Sequence, residues 1–139
     1  MTVVTGSVEL NTRGEVDIID VTEDVRRVVS DSGIQNGIAC VFTTSSTSTI
    51  TTIEHEPGLL KDLPRALERL FPKNIDYEHE RMWHDGNGHS HVRASVMKPS
   101  LTVPFVDGNI LLGTWQQIVF VELDNKRRKR KLVVQMVGE

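Results

Sequence analysis

The sequence predicts an α+β fold: a single compact domain of largely antiparallel β-sheets with about two helices. Three observations predict it. Short runs rich in Val, Ile and Thr recur along the chain, only two stretches carry apolar residues at helical spacing, and no regular βαβ alternation links them. The 139 residues, 38% of them hydrophobic, suffice for one core but not two, so residues 1–139 are read as one domain without internal repeats.

Residues 2 to 10 and 15 to 19 read as strands, separated by the turn Asn11-Thr12-Arg13-Gly14. Asp20 offers an N-cap oxygen, with Glu23 completing a capping box. Val21, Val25, Val28 and Val29 then follow at helical spacing, and Gly33 ends the helix. Gly37 to Thr44 is an apolar run typical of a buried strand, with Cys40 as a buried small hydrophobe. Residues 43 to 52, almost all Ser and Thr, form a loop and a strand.

Glu56-Pro57-Gly58 opens a second helix carrying Leu59, Leu60, Leu63, Leu67, Leu70 and Phe71. Pro64 should kink or restart it, and Pro72 closes it. A long loop holding the histidines comes next. Residues 91 to 97, 101 to 106, 110 to 122 and 131 to 137 read as strands, with hairpin turns at Val106-Asp107-Gly108-Asn109 and at Asp124-Asn125.

A net charge of −3 argues against wholesale binding to nucleic acid or an anionic membrane. No apolar run approaches the roughly 20 residues of a membrane helix, and the N-terminus lacks a basic segment followed by an apolar one, so a cytoplasmic protein is expected. A single cysteine excludes an internal disulfide.

Four of the five histidines, His79, His84, His89 and His91, fall in one stretch, interleaved with Glu78, Glu80 and Asp85. Such a cluster suits a divalent cation or proton transfer. On an extended strand His89 and His91 would share a face, and the loop would bring in His79 or His84 as a third ligand. Three protein ligands on tetrahedral zinc leave a position for water or substrate. His84, between Trp83 and Asp85, is the expected bystander. His55 reads as solvent-facing and paired with a neighbouring carboxylate.

Glu54, at the end of an apolar strand, is either a helix-start charge or an active-site acid. Ser46 and Thr47, in a run of hydroxyls, offer a phosphate cradle, although such runs more often bond their own backbone. In Lys126-Arg127-Arg128-Lys129-Arg130-Lys131, Arg128 and Arg130 share a face and suit an acidic or phosphorylated ligand, with edge-strand charge as the plainer reading. No aromatic interleaving accompanies this run, so nucleic acid is not the expected partner.

Several segments together resemble the YjbQ-like family, often labelled secondary thiamine-phosphate synthases. They are Ser46-Thr47-Ser48-Thr49-Ile50-Thr51-Thr52-Ile53-Glu54 with Glu56-Pro57-Gly58, Tyr77-Glu78-His79, Asn87-Gly88-His89-Ser90-His91-Val92-Arg93-Ala94-Ser95, and Pro99-Ser100. The hairpin through Gly108, Leu112-Gly113-Thr114-Trp115-Gln116-Gln117-Ile118 and a last strand ending in Gly138 complete the match.

The resemblance implies a homotrimer with a polar pocket containing the matched histidines, a divalent ion such as zinc or magnesium in some members, and a weak ability to form thiamine phosphate. On this reading His79, His89 and His91 hold the metal, and His79, His91 and Glu54 carry the chemistry. Ser46, Thr47, Arg93, Gln116, Arg128 and Arg130 bind an anionic, phosphorylated small molecule. The competing expectation is a non-catalytic trimeric ligand- or metal-binding protein, distinguished by a closed rather than open coordination sphere. Many members carry a histidine where this chain has Thr44-Ser45-Ser46, and its Ser-Thr-x-x-Ile-Thr-Thr-Ile-Glu form looks like an archaeal-type variant. If that imidazole is a ligand in the other members, this chain holds an ion with fewer histidines, with Glu54, or not at all.

Overall fold

A computed structural model describes residues 1–139. Two antiparallel sheets carry the chain. Sheet A contains β1 (Thr2–Asn11), β8 (Lys129–Gly138), β3 (Gly37–Thr43), β5 (Ser100–Val106) and β6 (Asn109–Ile110), in that order across the sheet. Sheet B contains β2 (Asp17–Asp20), β7 (Gln117–Glu122) and β4 (Ser48–Ile53). Four helices accompany them, α1 (Thr22–Asp31), α2 (Leu59–Leu70), α3 (Glu78–Trp83) and α4 (Gly88–Met97). No helix is long and apolar enough to cross a membrane.

The layering follows from β7. Ile118, Val119, Phe120 and Val121 are all fully buried because the central strand of sheet B is covered on both faces. Ile118 and Phe120 join the main core, with Leu132, Val134 and Met136 of β8, Val41 of β3, Phe105 of β5 and the α1 stripe Val21, Val25 and Val29. Val119 and Val121, with Leu123 just beyond the strand, face the other way, against Leu67 of α2 and Ala94 of α4. Helices α2 and α4 are thereby fixed on the outer side of sheet B.

Several local expectations hold. The β5–β6 hairpin turns at Asp107 (φ 51°) and Gly108 (φ 73°), both in the left-handed region that a tight hairpin requires. Helix α1 ends before Gly33, and Ser48–Ile53 is a strand following a hydroxyl-rich loop.

Others are corrected. Asp20 accepts from the Thr22 amide at 2.9 Å but sits one residue before the N-cap, Val21, and Glu23 pairs with Arg26 rather than closing a capping box. Helix α2 runs unbroken through Pro64, its start held by the Glu56 carboxylate, which accepts from the Gly58 and Leu59 amides. The expected strand 110 to 122 is two short strands with an irregular connection between them. Strands β7 and β8 belong to different sheets, so Asp124-Asn125 is a crossover and not a hairpin. Strand β3 is buried on one face only: Ala39 and Val41 point inward, Ile38 and Phe42 are exposed, and Cys40 is half-buried on the open face.

The largest correction concerns residues 88 to 97, which form α4 and not a strand. The alternation Val92, Ala94, Val96 imitates a period of two. Tertiary contacts decide the conformation: Ala94 packs on sheet B, and Arg93 donates from Nε and Nη2 to the Phe71 carbonyl at 3.0 and 2.8 Å. That carbonyl belongs to the C-cap of α2, where no intrahelical donor is available.

Candidate functional site

Helix α4 splits the two histidines that a strand would have paired. At about 100° per residue, His89 and His91 lie about 200° apart around the axis. His89 is 1% exposed, and its Nε2 lies 2.5 Å from Glu15 Oε2 in the connection between β1 and β2. The same carboxylate meets Lys73 through its other oxygen, at 2.5 Å. His89 is thus committed to Glu15, which Lys73 also holds, and is not part of the His79–Asp85–His91 cluster.

His91, half-buried on the opposite side of α4, meets His79 of α3, with ring centroids 4.4 Å apart and planes inclined at 40°. Asp85, in the loop joining α3 to α4, completes a group of three. One donor atom from each of His79, Asp85 and His91 lies within 4.8 Å of the others. His79 Nδ1 is buried and has no hydrogen-bond partner, with Asp85 Oδ1 at 3.4 Å. Two imidazoles and one carboxylate are the donor set of an open, three-ligand site for a divalent ion such as zinc, and the orphaned nitrogen fits that use.

The loop that places Asp85 is clamped from both sides. Glu80 of α3 accepts from the Gly86 amide at 2.7 Å and the Gly88 amide at 2.6 Å. Burial alone would raise the Glu80 pKa, but these two amides and His79 hold it below its ordinary value. A Cβ on Gly88 would stand 2.6 Å from Tyr77 Cβ, so this contact between α3 and α4 requires glycine. From the other side, the Asn125 amide donates to Asn87 Oδ1 at 3.0 Å and Asn125 Nδ2 donates to the Asp85 carbonyl at 2.9 Å.

Asn125 also links the cluster to a polar pocket of about 320 Å³ lined by Thr44–Thr47, Asp85, Asn87, His91, Asp124, Arg128 and Arg130. Arg130 Nε and Nη2 grip both oxygens of the fully buried Glu122 at 2.7 and 2.6 Å, and Nη2 also donates to Thr47 Oγ1 at 3.0 Å. Thr47 Oγ1 in turn donates to Asp124 Oδ2 at 3.0 Å. Arg128 donates to the same oxygen at 3.0 Å, with its side chain 42% exposed at the opening. Burial works to raise the Asp124 pKa, but the Lys126 amide, Arg128 and Thr47 outweigh it and hold the carboxyl below its ordinary value.

The expected site residues therefore divide. His79, His91, Thr47, Arg128 and Arg130 come together, and Ser46 is exposed on the pocket wall. Arg93 does not join them: it is 3% exposed, with Nη2 also paired to Glu68 at 2.9 Å. Glu54 and Gln116 lie elsewhere in the chain. Strand β4 begins at Ser48 opposite Glu122, beside the pocket, and ends at Ile53 opposite Gln117. Six residues of strand thus put Glu54 about 20 Å away. His84 is exposed and outside the cluster, at the left-handed C-cap of α3. His55 bonds the Ile18 carbonyl at 3.2 Å, where solvent and a neighbouring carboxylate were expected.

Asp85, Asn87, Glu122, Asp124 and Asn125 escaped the sequence reading as site residues. One signal was present for two of them: Glu122 and Asp124 alternate at the end of the wholly apolar stretch Ile118–Val121. A carboxylate carried there by a buried strand must find a partner.

A family model described as UPF0047 protein YjbQ-like matches residues 6–139. A UPF0047 protein of Methanothermobacter thermautotrophicus is 43% identical over 130 residues, spanning 94% of this chain and 90% of that protein. The UPF0047 protein YugU of Bacillus subtilis is 31% identical over 134 residues, spanning 95% and 98%. Among solved structures, a YbjQ-like protein of unknown function from Sulfolobus solfataricus superposes with a TM-score of 0.94 at 32% identity, covering 99% of each chain.

Proposed function

The chain belongs to the YjbQ-like UPF0047 family, and from that premise we propose that it is a small-molecule enzyme acting on a phosphorylated substrate at the His79–Asp85–His91 pocket. The observation that carries this reading is the juxtaposition of a three-ligand cluster with an arginine-bearing pocket that shares Asp85 and His91 with it.

Charge bookkeeping makes the two halves interdependent. Asp85 and Asp124 balance Arg128 and Arg130 at the pocket wall, and Glu122 already occupies Arg130. Unaided, the pocket is a poor host for an anion. A divalent ion on His79, Asp85 and His91 would supply the missing positive charge and polarise phosphate oxygens.

The reaction proposed is thiamine-phosphate-synthase-type transfer. A ring nitrogen of one substrate forms a bond to a methylene carbon of the other as the carbon–oxygen bond to pyrophosphate breaks, and the electron pair leaves with pyrophosphate. Arg128, at the pocket mouth, is placed to meet the developing phosphate charge. Thr47 and Arg130, mutually bonded and tied to Asp124 and Glu122, hold the wall rigid. Ser45 and Ser46 offer hydroxyls at the same opening. Only three protein donors converge, which supports an open coordination sphere and therefore chemistry over a purely structural ion.

We also propose assembly as a homotrimer, supported by the exposed apolar residues Val3, Ile38 and Phe42 on the open face of sheet A. The deciding experiment strips the protein with chelator, reloads zinc or magnesium, and follows pyrophosphate release from the two thiamine precursors. Metal-dependent turnover is expected. Stoichiometric metal binding without turnover would favour the binding-protein alternative.

A further inference from the structure

A second cleft of about 460 Å³ lies beyond the C-terminal end of α4, lined by residues of β4, β5 and the connection between β6 and β7. Met97, Leu101 and Leu112 contribute apolar surface, while Thr52, Gln116 and Lys98 contribute polar groups. Its volume falls within the roughly 300–1,000 Å³ typical of small-molecule sites. No carboxylate lines it, although carboxylates outnumber cations in the chain by 19 to 16. Lys98 itself forms no ion pair.

The backbone of Lys98 is the second observation. At φ 77° and ψ 154° it occupies a region that belongs essentially to glycine. The following Pro99 accounts for the extended ψ but not for the positive φ. Neighbours hold the strained turn in place: the Lys98 amide donates to Ala94 O at 2.9 Å, the Lys98 carbonyl accepts from the Thr49 hydroxyl, and Pro99 O accepts from the Thr43 amide at 2.9 Å. Glycine would satisfy every one of these bonds without strain. What lysine adds is a cationic side chain at an otherwise uncharged cleft.

We propose that this cleft binds an amphipathic small anion, an apolar body bearing one acidic group, with Lys98 as the anchor for that group. The apolar wall takes the body, and the unpaired ammonium selects the anion. Lys98, the C-cap of α4, lies seven positions beyond His91, about 10 Å along the helix axis, so the two sites are distinct. Nothing in this inference depends on a metal or a phosphate at the histidine pocket.

The test uses 1-anilinonaphthalene-8-sulfonate, a flat apolar sulfonate whose fluorescence rises on burial, titrated into the intact protein. One site per chain is expected. Lys98→Gly should weaken binding roughly tenfold, the loss of one charged contact, while leaving the thermal midpoint unchanged or raised. Lys98→Gln, which keeps a long side chain on the same backbone but removes the charge, should weaken binding alike and guards against an effect of the glycine on the turn. Arg128→Ala, confined to the histidine pocket, should leave the dye affinity at the wild-type value. Absent binding to wild-type protein, wild-type affinity in both Lys98 variants, or loss of binding in Arg128→Ala would each overturn the proposal.

Discussion

The rings of His79 and His91 lie with their centroids 4.4 Å apart, although they come from different helices, and Asp85 from the intervening loop reaches the same donor cluster. Two imidazoles so placed would repel one another if both were protonated, whereas a shared divalent cation binds them in their neutral form and draws on the Asp85 charge as well. The supports are built to keep this distance: Glu80 ties α3 to the start of α4, and Asn125 ties the Asp85 loop to the crossover after β7.

His91→Ala should therefore lower zinc content and any transferase activity together, with metal affinity reduced about 10- to 100-fold or more. His55→Ala should leave metal content at the wild-type value, because His55 bonds the Ile18 carbonyl outside the cluster. Elemental analysis of dialysed variants decides the point. A His91 variant with full zinc and full turnover would refute the assignment.

His89→Ala separates the two histidines of α4. Loss of His89 leaves Glu15 with Lys73 alone in a mostly buried setting, so the variant should be less stable by about 1–3 kcal/mol. Its zinc stoichiometry, measured below the unfolding transition, should remain wild-type. Loss of zinc without loss of stability would return His89 to the metal site.

The contrast between these two residues marks what the sequence made legible. The concentration of imidazole beside carboxylates pointed to the stretch in which His79, Asp85 and His91 converge, and residue types alone sufficed for that. Which imidazoles share a site depends on whether residues 89 to 91 follow a period of 2 or of 3.6, and the apolar pattern of Val92, Ala94 and Val96 favoured the wrong one. The choice is made by Arg93 docking on the end of α2 and Ala94 on sheet B, contacts far apart in sequence. Glu122 was hidden for a similar reason: its partners, Thr12 and Arg130, come from other strands or their ends. Strands β1, β5 and β8 of sheet A were readable because they depend mainly on local alternation and turn chemistry.

Glu122→Gln should be among the most destabilising single changes at the site. The carboxylate is fully buried, accepts from Arg130 twice, from Thr12 and from the Asp124 amide, and its loss leaves a largely enclosed guanidinium with only Asp124, at 4.0 Å, as counter-ion. Breaking a buried pair by removing one partner costs about 3–5 kcal/mol. Urea unfolding measures this, and a midpoint indistinguishable from wild type would mean the pair contributes nothing.

Acid should weaken the fold through Asp124 and Glu15. Both carboxyls are held below their ordinary values of 3.8 and 4.5, because hydrogen bonds and cations outweigh a burial effect that acts in the opposite direction. A depressed pKa in the folded state gives stability that is complete above the unfolded value and is lost as pH falls through the folded one. Stability should be flat with respect to these groups near neutrality and decline below about pH 4. In Asp124→Asn that decline should be shallower than in wild type, as read from thermal midpoints between pH 2 and 7.

Assembly is tested at the open face of sheet A. Val3, Val137, Ile38 and Pro104 fall in register across β1, β8, β3 and β5, a row of apolar side chains on four adjacent strands. Val3 and Ile38 remain 56% and 49% exposed, and Phe42 on the same face of β3 is 39% exposed. A polypeptide surface of this kind associates because burying it removes apolar area from water, at roughly 25 cal/mol per Å². Sedimentation equilibrium should return three times the 15.6 kDa chain mass at micromolar concentration. Ile38→Asp places a charge in the middle of the row while its backbone stays paired to β5 and β8. This variant should sediment as a monomer with unchanged far-ultraviolet circular dichroism. A wild-type protein that runs as a monomer would refute the trimer, and an Ile38→Asp variant that remains trimeric would move the interface off this face.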